Sequence, residues 1–166
     1  MIKAYIVSGI VMMLMMAEQE GILMDKNRVL LVDDEEEFVR ALAKRLTAKG
    51  FNVESSGDGE SAVEKVKQSD FEVIVLDLAM PGMDGLETLK RLRQINSDLQ
   101  VILLTGHGTI RSGVEAMKVG ATDFLEKPAE FPELLAKIRE AVARRMVLVE
   151  KRREEQVSDI LRGRSW

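Results

Sequence analysis

The residues of this sequence that could do chemistry together are the pair Asp33-Asp34, then Asp77, Thr105 and Lys127. Each stands at or just past the end of a short apolar run. Val29-Leu30-Leu31-Val32 precedes the aspartate pair, Val73-Ile74-Val75-Leu76 precedes Asp77, Val101–Leu104 precedes Thr105, and Phe124-Leu125 lies shortly before Lys127. If those runs are neighbouring strands, three carboxylates, a hydroxyl and an ammonium converge on one crevice. Three negative charges so close cannot all stay ionised without compensation. Lys127 offsets one, and a divalent cation answers for the others. The chain has no Cys and one His, so the ligands would be oxygens, which favours Mg²⁺ or Mn²⁺. Mg²⁺ takes one or two carboxylates, waters and substrate phosphate oxygens. The matching chemistry is phosphoryl transfer, in which the cation spreads the developing charge, a carboxylate attacks, and Lys and Thr hold the equatorial oxygens.

The elements that must position these groups alternate regularly. Strands are predicted at Arg28–Val32, Phe51–Ser55, Glu72–Asp77, Val101–Leu104 and Thr122–Leu125. Between them the apolar spacing of three and four predicts helices: Glu35–Lys49 with Phe38, Leu42 and Leu46 inward, Asp58–Gln68 with Ala62, Val63 and Val66 inward, Leu86–Ile95, and Thr109–Val119 with Val114 and Met117 inward. A last helix begins at Pro132 and carries Leu134, Leu135, Ile138 and Val142 on one stripe. Five strand–helix alternations with short loops imply a parallel sheet, and right-handed crossovers with helices on both faces imply a doubly wound α/β fold of strand order 2-1-3-4-5. Ligands of such sheets bind at the carboxyl ends of the strands near the switch point, here between strands one and three, where Asp33, Asp34 and Asp77 fall. Singly, each residue has an ordinary reading: Asp34 before Glu35-Glu36-Glu37 could cap a helix. The set, at the ends of successive strands on one edge, does not.

Composition narrows the classes. The 166 residues include 28 acidic and 24 basic side chains, for a formal net charge of -4, so a basic face for direct nucleic-acid binding is not expected. No run reaches the ~18 apolar residues of a membrane span. Residues Ala4 to Ala17 are uncharged and apolar, but too short for a span and a poor match to a signal peptide, because Met15 stands where a small residue is wanted. Met24 offers an alternative start just before Val29, so residues 1–26 read as an extension whose origin is open between a start-site choice, a loosely packed or partner-bound segment and, least well matched, an export or membrane-anchoring signal.

Four stretches together resemble the receiver domain of two-component response regulators: Val29–Glu35, Val75–Gly85 with its Met80-Pro81-Gly82-Met83-Asp84-Gly85 turn, Leu103–Gly108 with Thr105-Gly106-His107-Gly108, and Ala121–Pro128 ending Asp123-Phe124-Leu125-Glu126-Lys127-Pro128. The wording is nearest to NtrC-like receivers. The resemblance covers residues 28–147 and implies a flavodoxin- and CheY-like five-stranded fold with an extended C-terminal helix. It implies that Asp77 is the phosphoacceptor and that Asp33, Asp34, Asp77 and the backbone carbonyl of Ala79 organise Mg²⁺. Thr105 and Lys127 would hold the phosphoryl group, the Lys127–Pro128 peptide would be cis, and Thr105 and Phe124 would form the switch. His107 lies where phosphoryl lifetime is often tuned.

The expected organisation is an extension over residues 1–26, a receiver over 27–147 and a helical tail over 148–166. The expected function is that of a stand-alone, cytoplasmic receiver. It is phosphorylated on Asp77 by a histidine kinase or phosphotransfer protein and signals to an unidentified downstream protein. A homodimer through the face of helix four, strand five and helix five is a further expectation. A Mg²⁺-dependent phosphatase with an aspartyl nucleophile is the enzyme alternative, disfavoured because Ala79 stands where its acid/base aspartate belongs. A phosphorylation-independent adaptor is the third reading. In the tail, Arg144, Arg145, Arg152, Arg153, Arg162 and Arg164 alternate with Glu residues and read as a solvated helix face, with Trp166 exposed or docked.

Overall fold

A computed structural model describes residues 27–106 and 110–163. The extension over residues 1–26, His107, Thr109, Arg164 and Trp166 lie outside the described residues. The strands are β1 (Arg28–Val32), β2 (Asn52–Ser56), β3 (Val73–Leu76), β4 (Gln100–Thr105) and β5 (Asp123–Glu126). The helices are α1 (Glu36–Thr47), α2 (Gly59–Gln68), α3 (Gly85–Ile95), α4 (Ile110–Val119) and α5 (Phe131–Leu161). All sheet pairings are parallel and the order is β2-β1-β3-β4-β5, as the alternation implied.

Alternate strand residues feed two separate cores, because helices cover both faces. Leu31, Val75, Ile102 and Leu104 pack against α1 and α5 through Leu42, Leu46, Leu134 and Ile138. Leu30, Val32, Ile74, Leu76, Val101 and Leu103 pack on the other face against α2, α3 and α4, including Ala62, Leu89, Leu92 and Ala116. Two helix starts are fixed by side-chain caps: Asp58 accepts the amide of Ser61 at 2.7 Å, and Asp84 accepts that of Glu87 at 2.8 Å. Pro132 occupies the first turn of α5, where its missing N–H costs nothing.

Two sequence expectations need correction. Val114 and Met117 on α4 point outward, with 49% and 45% exposure, and Ala116 is the buried residue. The cause is the thin space under α4: the side-chain position of Gly113 lies 3.5 Å from the Phe124 ring, so this helix turns its small residues to the sheet. Arg145 is not part of a solvated basic face. It is only 6% exposed, donates to the Phe71 carbonyl, and pairs with both carboxylate oxygens of Asp70 at 2.7 Å.

The loop after β3 is held by a backbone approach that allows only glycine. A Cβ at Gly85 would lie 2.4 Å from Leu78 Cα and 2.5 Å from the Asp77 carbonyl oxygen, both rigid backbone atoms. The Asp84-Gly85 turn is therefore what lets α3 start directly against Asp77 and Leu78, the two residues that follow β3. Gly85→Ala is expected to destabilise the fold by about 2 kcal/mol or more, the cost of overpacking where nothing can yield, measured as a lowered midpoint in urea unfolding.

Candidate functional site

The parallel ladder runs one residue past the strands and sets the spacing of the site. The Asp33 amide donates to the Ser56 carbonyl at 3.0 Å, the Asp77 amide to the Val32 carbonyl at 2.9 Å, and the Lys127 amide to the Thr105 carbonyl at 3.0 Å. Asp33 and Asp77 thus stand on adjacent strands at the same edge, and Lys127 follows β5 on that edge. The Lys127–Pro128 peptide is cis, as the resemblance implied.

The Lys127 ammonium reaches into the carboxylates. It lies 2.5 Å from Asp33 Oδ2, 3.1 Å from Glu35 Oε1 and 3.9 Å from Asp77 Oδ2, and sits 4.2 Å from the centre of the Phe38 ring. Burial pulls its pKa down, but the hydrogen bonds to Asp33 and Glu35 and the charges of Asp33 and Asp77 outweigh that, leaving it above the ordinary lysine value. Lys127 is firmly a cation. Burial pushes the Asp33 carboxyl above its usual range, and the hydrogen bonds from Lys127 and from the Glu35 amide only partly oppose it. Negative charge here exceeds what one ammonium neutralises.

Oxygens of Asp33, Glu35 and Asp77 all lie within 4.8 Å of one another. The structure therefore brings together Asp33, Asp77 and Lys127, and adds Glu35, which the sequence placed in the first turn of a helix. The backbone decides this: Asp33 Oδ1 accepts the Glu35 amide at 2.9 Å, so Asp33-Asp34-Glu35 forms a turn before α1 begins at Glu36, which the acidic run does not reveal. Asp34 is exposed and is not among the three converging carboxylates. Asp77 Oδ1 accepts the amide of Ala79 at 3.1 Å, which fixes the carboxylate and the loop together. Thr105 is fully buried at the end of β4, in register with Glu126. Phe124 is half-buried against the α2–α3–α4 core and lies beneath Gly113. An all-oxygen donor set with two uncompensated negative charges suits a hard divalent cation such as Mg²⁺.

Comparison with known proteins agrees with this geometry. Residues 29–139 match the response regulator receiver domain model. The C4-dicarboxylate transport transcriptional regulatory protein DctD of Pseudomonas aeruginosa is 39% identical over 128 residues, which are 76% of this chain and 28% of that protein. The chain spans about half or less of the length of many curated relatives it matches. The response regulator TrrA of Thermotoga maritima, solved in complex with Mg²⁺ and beryllofluoride, is 30% identical with a TM-score of 0.64, over 69% of this chain and 98% of that one. The beryllofluoride-activated NtrC4 receiver domain dimer is 37% identical with a TM-score of 0.69, over 72% and 98%. Among the described residues no helix is long and apolar enough to cross a membrane. With its sheet order, its acid-lined edge and its buried threonine and lysine, the chain belongs to the response regulator receiver domain family, the phosphoacceptor signalling modules of two-component systems.

Proposed function

We propose that this receiver takes a phosphoryl group onto Asp77 from a phosphohistidine of a kinase or phosphotransfer protein and signals by reshaping the face of α4, β5 and α5. The observation that carries this is the posture of Asp77. One oxygen is tied to the Ala79 amide, and the other faces the Lys127 ammonium at 3.9 Å inside the carboxylate cluster. That second oxygen attacks phosphorus, the P–N bond of the donor breaks, and the electron pair leaves on the imidazole nitrogen. Lys127 and the Thr105 hydroxyl take the phosphoryl oxygens. Mg²⁺, when bound, supplies the positive charge that lets the donor approach the acidic edge.

Asp33, Asp77 and the carbonyl of Ala79 would hold the metal, joined by Asp34 once its exposed side chain rotates inward. Glu35 serves instead as the resting partner of Lys127. The Thr105–Phe124 switch follows from packing. A phosphoryl group adds nearly two charges and three acceptors, and it shifts an equilibrium only through what it binds better in one state. Thr105 moving toward it vacates space at the end of β4, which the Phe124 ring beside Gly113 can enter. Val114 and Met117, exposed just above, give the altered face its apolar contact.

Three outcomes test this. With a small phosphodonor and Mg²⁺, intact-mass measurement gains one phosphoryl group, and Asp77→Asn gains none. Mg²⁺ at a hundredfold excess over its dissociation constant stabilises the protein by about 2.7 kcal/mol in thermal unfolding. Asp34→Asn sharply weakens that effect and Glu35→Gln leaves it largely intact; the reverse ranking makes Glu35 the ligand. Beryllofluoride shifts the amide resonances of α4 and of Phe124 in the native protein, while Thr105→Ala still forms the adduct but confines the shifts to the acidic pocket.

A further inference from the structure

The end of the sheet opposite Asp77 carries a feature that phosphoryl transfer does not use. There α5 leaves the body of the domain, held to it along one side. On that side Ala141 is buried, Arg145 pairs with Asp70, and Arg152 pairs with Asp98 at 2.8 Å. Roughly a third of a turn away runs a second stripe: Val142, Met146, Glu150, Arg153, Val157 and Leu161. Steps of three and four keep these residues on one helix face. The stripe is open: Met146 is 47%, Val157 55% and Leu161 81% exposed. Glu150 and Arg153 meet only loosely, at 3.9 Å, and both side chains are largely exposed.

This stripe reads apolar, apolar, acid, base, apolar, apolar, and its spacing is the same from either end. A surface of that order is complementary to itself when turned through a half-rotation. An antiparallel second copy brings Met146 level with Val157, Val142 with Leu161, and Glu150 with Arg153. Each contact then occurs twice, as a closed two-fold interface requires. A parallel second copy would instead set Glu150 level with Glu150 and Arg153 level with Arg153, and like charges placed together oppose association. The seam from Val142 to Leu161 is ~28 Å long at ~1.5 Å per residue. A concave surface for its ends is also present. A groove of about 380 Å³ lies between Asn27, at the entry to β1, and Val142 and Met146 of α5. That is the level which Val157 and Leu161 of the second copy reach. The pairing leaves the contacts of Arg145 and Arg152 in place, and it sets the two domains at opposite ends of the paired helices.

We propose that this protein forms an antiparallel homodimer along the outer stripe of α5, centred between Glu150 and Arg153. The dimer rests on α5 alone and stands whether or not Asp77 accepts a phosphoryl group. The chain has no native Cys, so single-cysteine variants read cleanly. Chains with Met146→Cys, mixed with chains with Val157→Cys and oxidised, give a disulfide-linked dimer. Neither variant oxidised alone does so, because antiparallel pairing holds like residues ~16 Å apart along the seam, beyond the ~7 Å between Cα atoms that a disulfide spans. Linkage of Met146→Cys to itself overturns the proposal in favour of a parallel pair, and no linkage in the mixture overturns it outright. Sedimentation of the unmodified chain gives twice the chain mass at micromolar concentration. Arg153→Glu weakens the dimer about tenfold or more, and Glu150→Arg added to Arg153→Glu in the same chain restores it. A monomer, or a dimer that Arg153→Glu leaves intact, also overturns the proposal.

Discussion

The crowding of negative charge at one edge of the sheet is the constraint on which the rest depends. Backbone hydrogen bonds fix Asp33 beside Asp77, so these carboxylates cannot move apart to relieve repulsion. A single ammonium, brought from two strands away, lies among them and interacts most closely with Asp33. Removing the ammonium from such a set leaves the neighbouring carboxylates facing one another uncompensated. The pocket is already arranged for positive charge before any cation arrives. Little reorganisation then remains for the reaction itself.

The same edge is tied to the surface by a short path. Thr105 ends β4 and pairs in register with Glu126, two residues beyond Phe124 and one before Lys127. Anything that draws Thr105 and Lys127 toward a new group therefore acts on β5 twice, through its single partner strand β4 and through the residue that directly follows it. The ring above is covered by Gly113 and not by a larger residue, so its position is sensitive to a small displacement. Coupling of this kind needs two packings of similar energy, and a thin, glycine-floored contact provides for them better than a close-packed one.

Strand order and the edge location of Asp33, Asp77, Thr105 and Lys127 were legible in the sequence, because apolar runs alternating with helical stripes constrain topology tightly. Glu35 was not, because in a run of five acidic residues the backbone turn decides which side chains face inward. α4 misled for a related reason. Hydrophobicity assigned Val114 and Met117 to the core, yet α4 turns Ala116 and Gly113 to the sheet and the Phe124 ring, and the larger residues remain exposed. Arg145 was hidden by its neighbours: one buried arginine in a stretch of exposed ones has no local signature, and its partners Asp70 and Phe71 are more than seventy residues away.

Arg145 also explains how a helix of 31 residues can outrun the domain it belongs to. A hydrophobic residue there could bury as much surface, but it would not fix direction. A guanidinium bidentate to Asp70 and bonded to a backbone carbonyl holds α5 at one angle and rotation. Arg152 repeats the device two turns later against Asp98. Between and beyond these anchors the helix is supported by exposed pairs such as Arg153 with Glu150, worth only a few tenths of a kcal/mol. The orientation set by the two arginines turns Met146 and Val149 to the side where Asn27 and Arg28 begin β1, so the direction of the helix is decided by polar contacts and not by its apolar stripe.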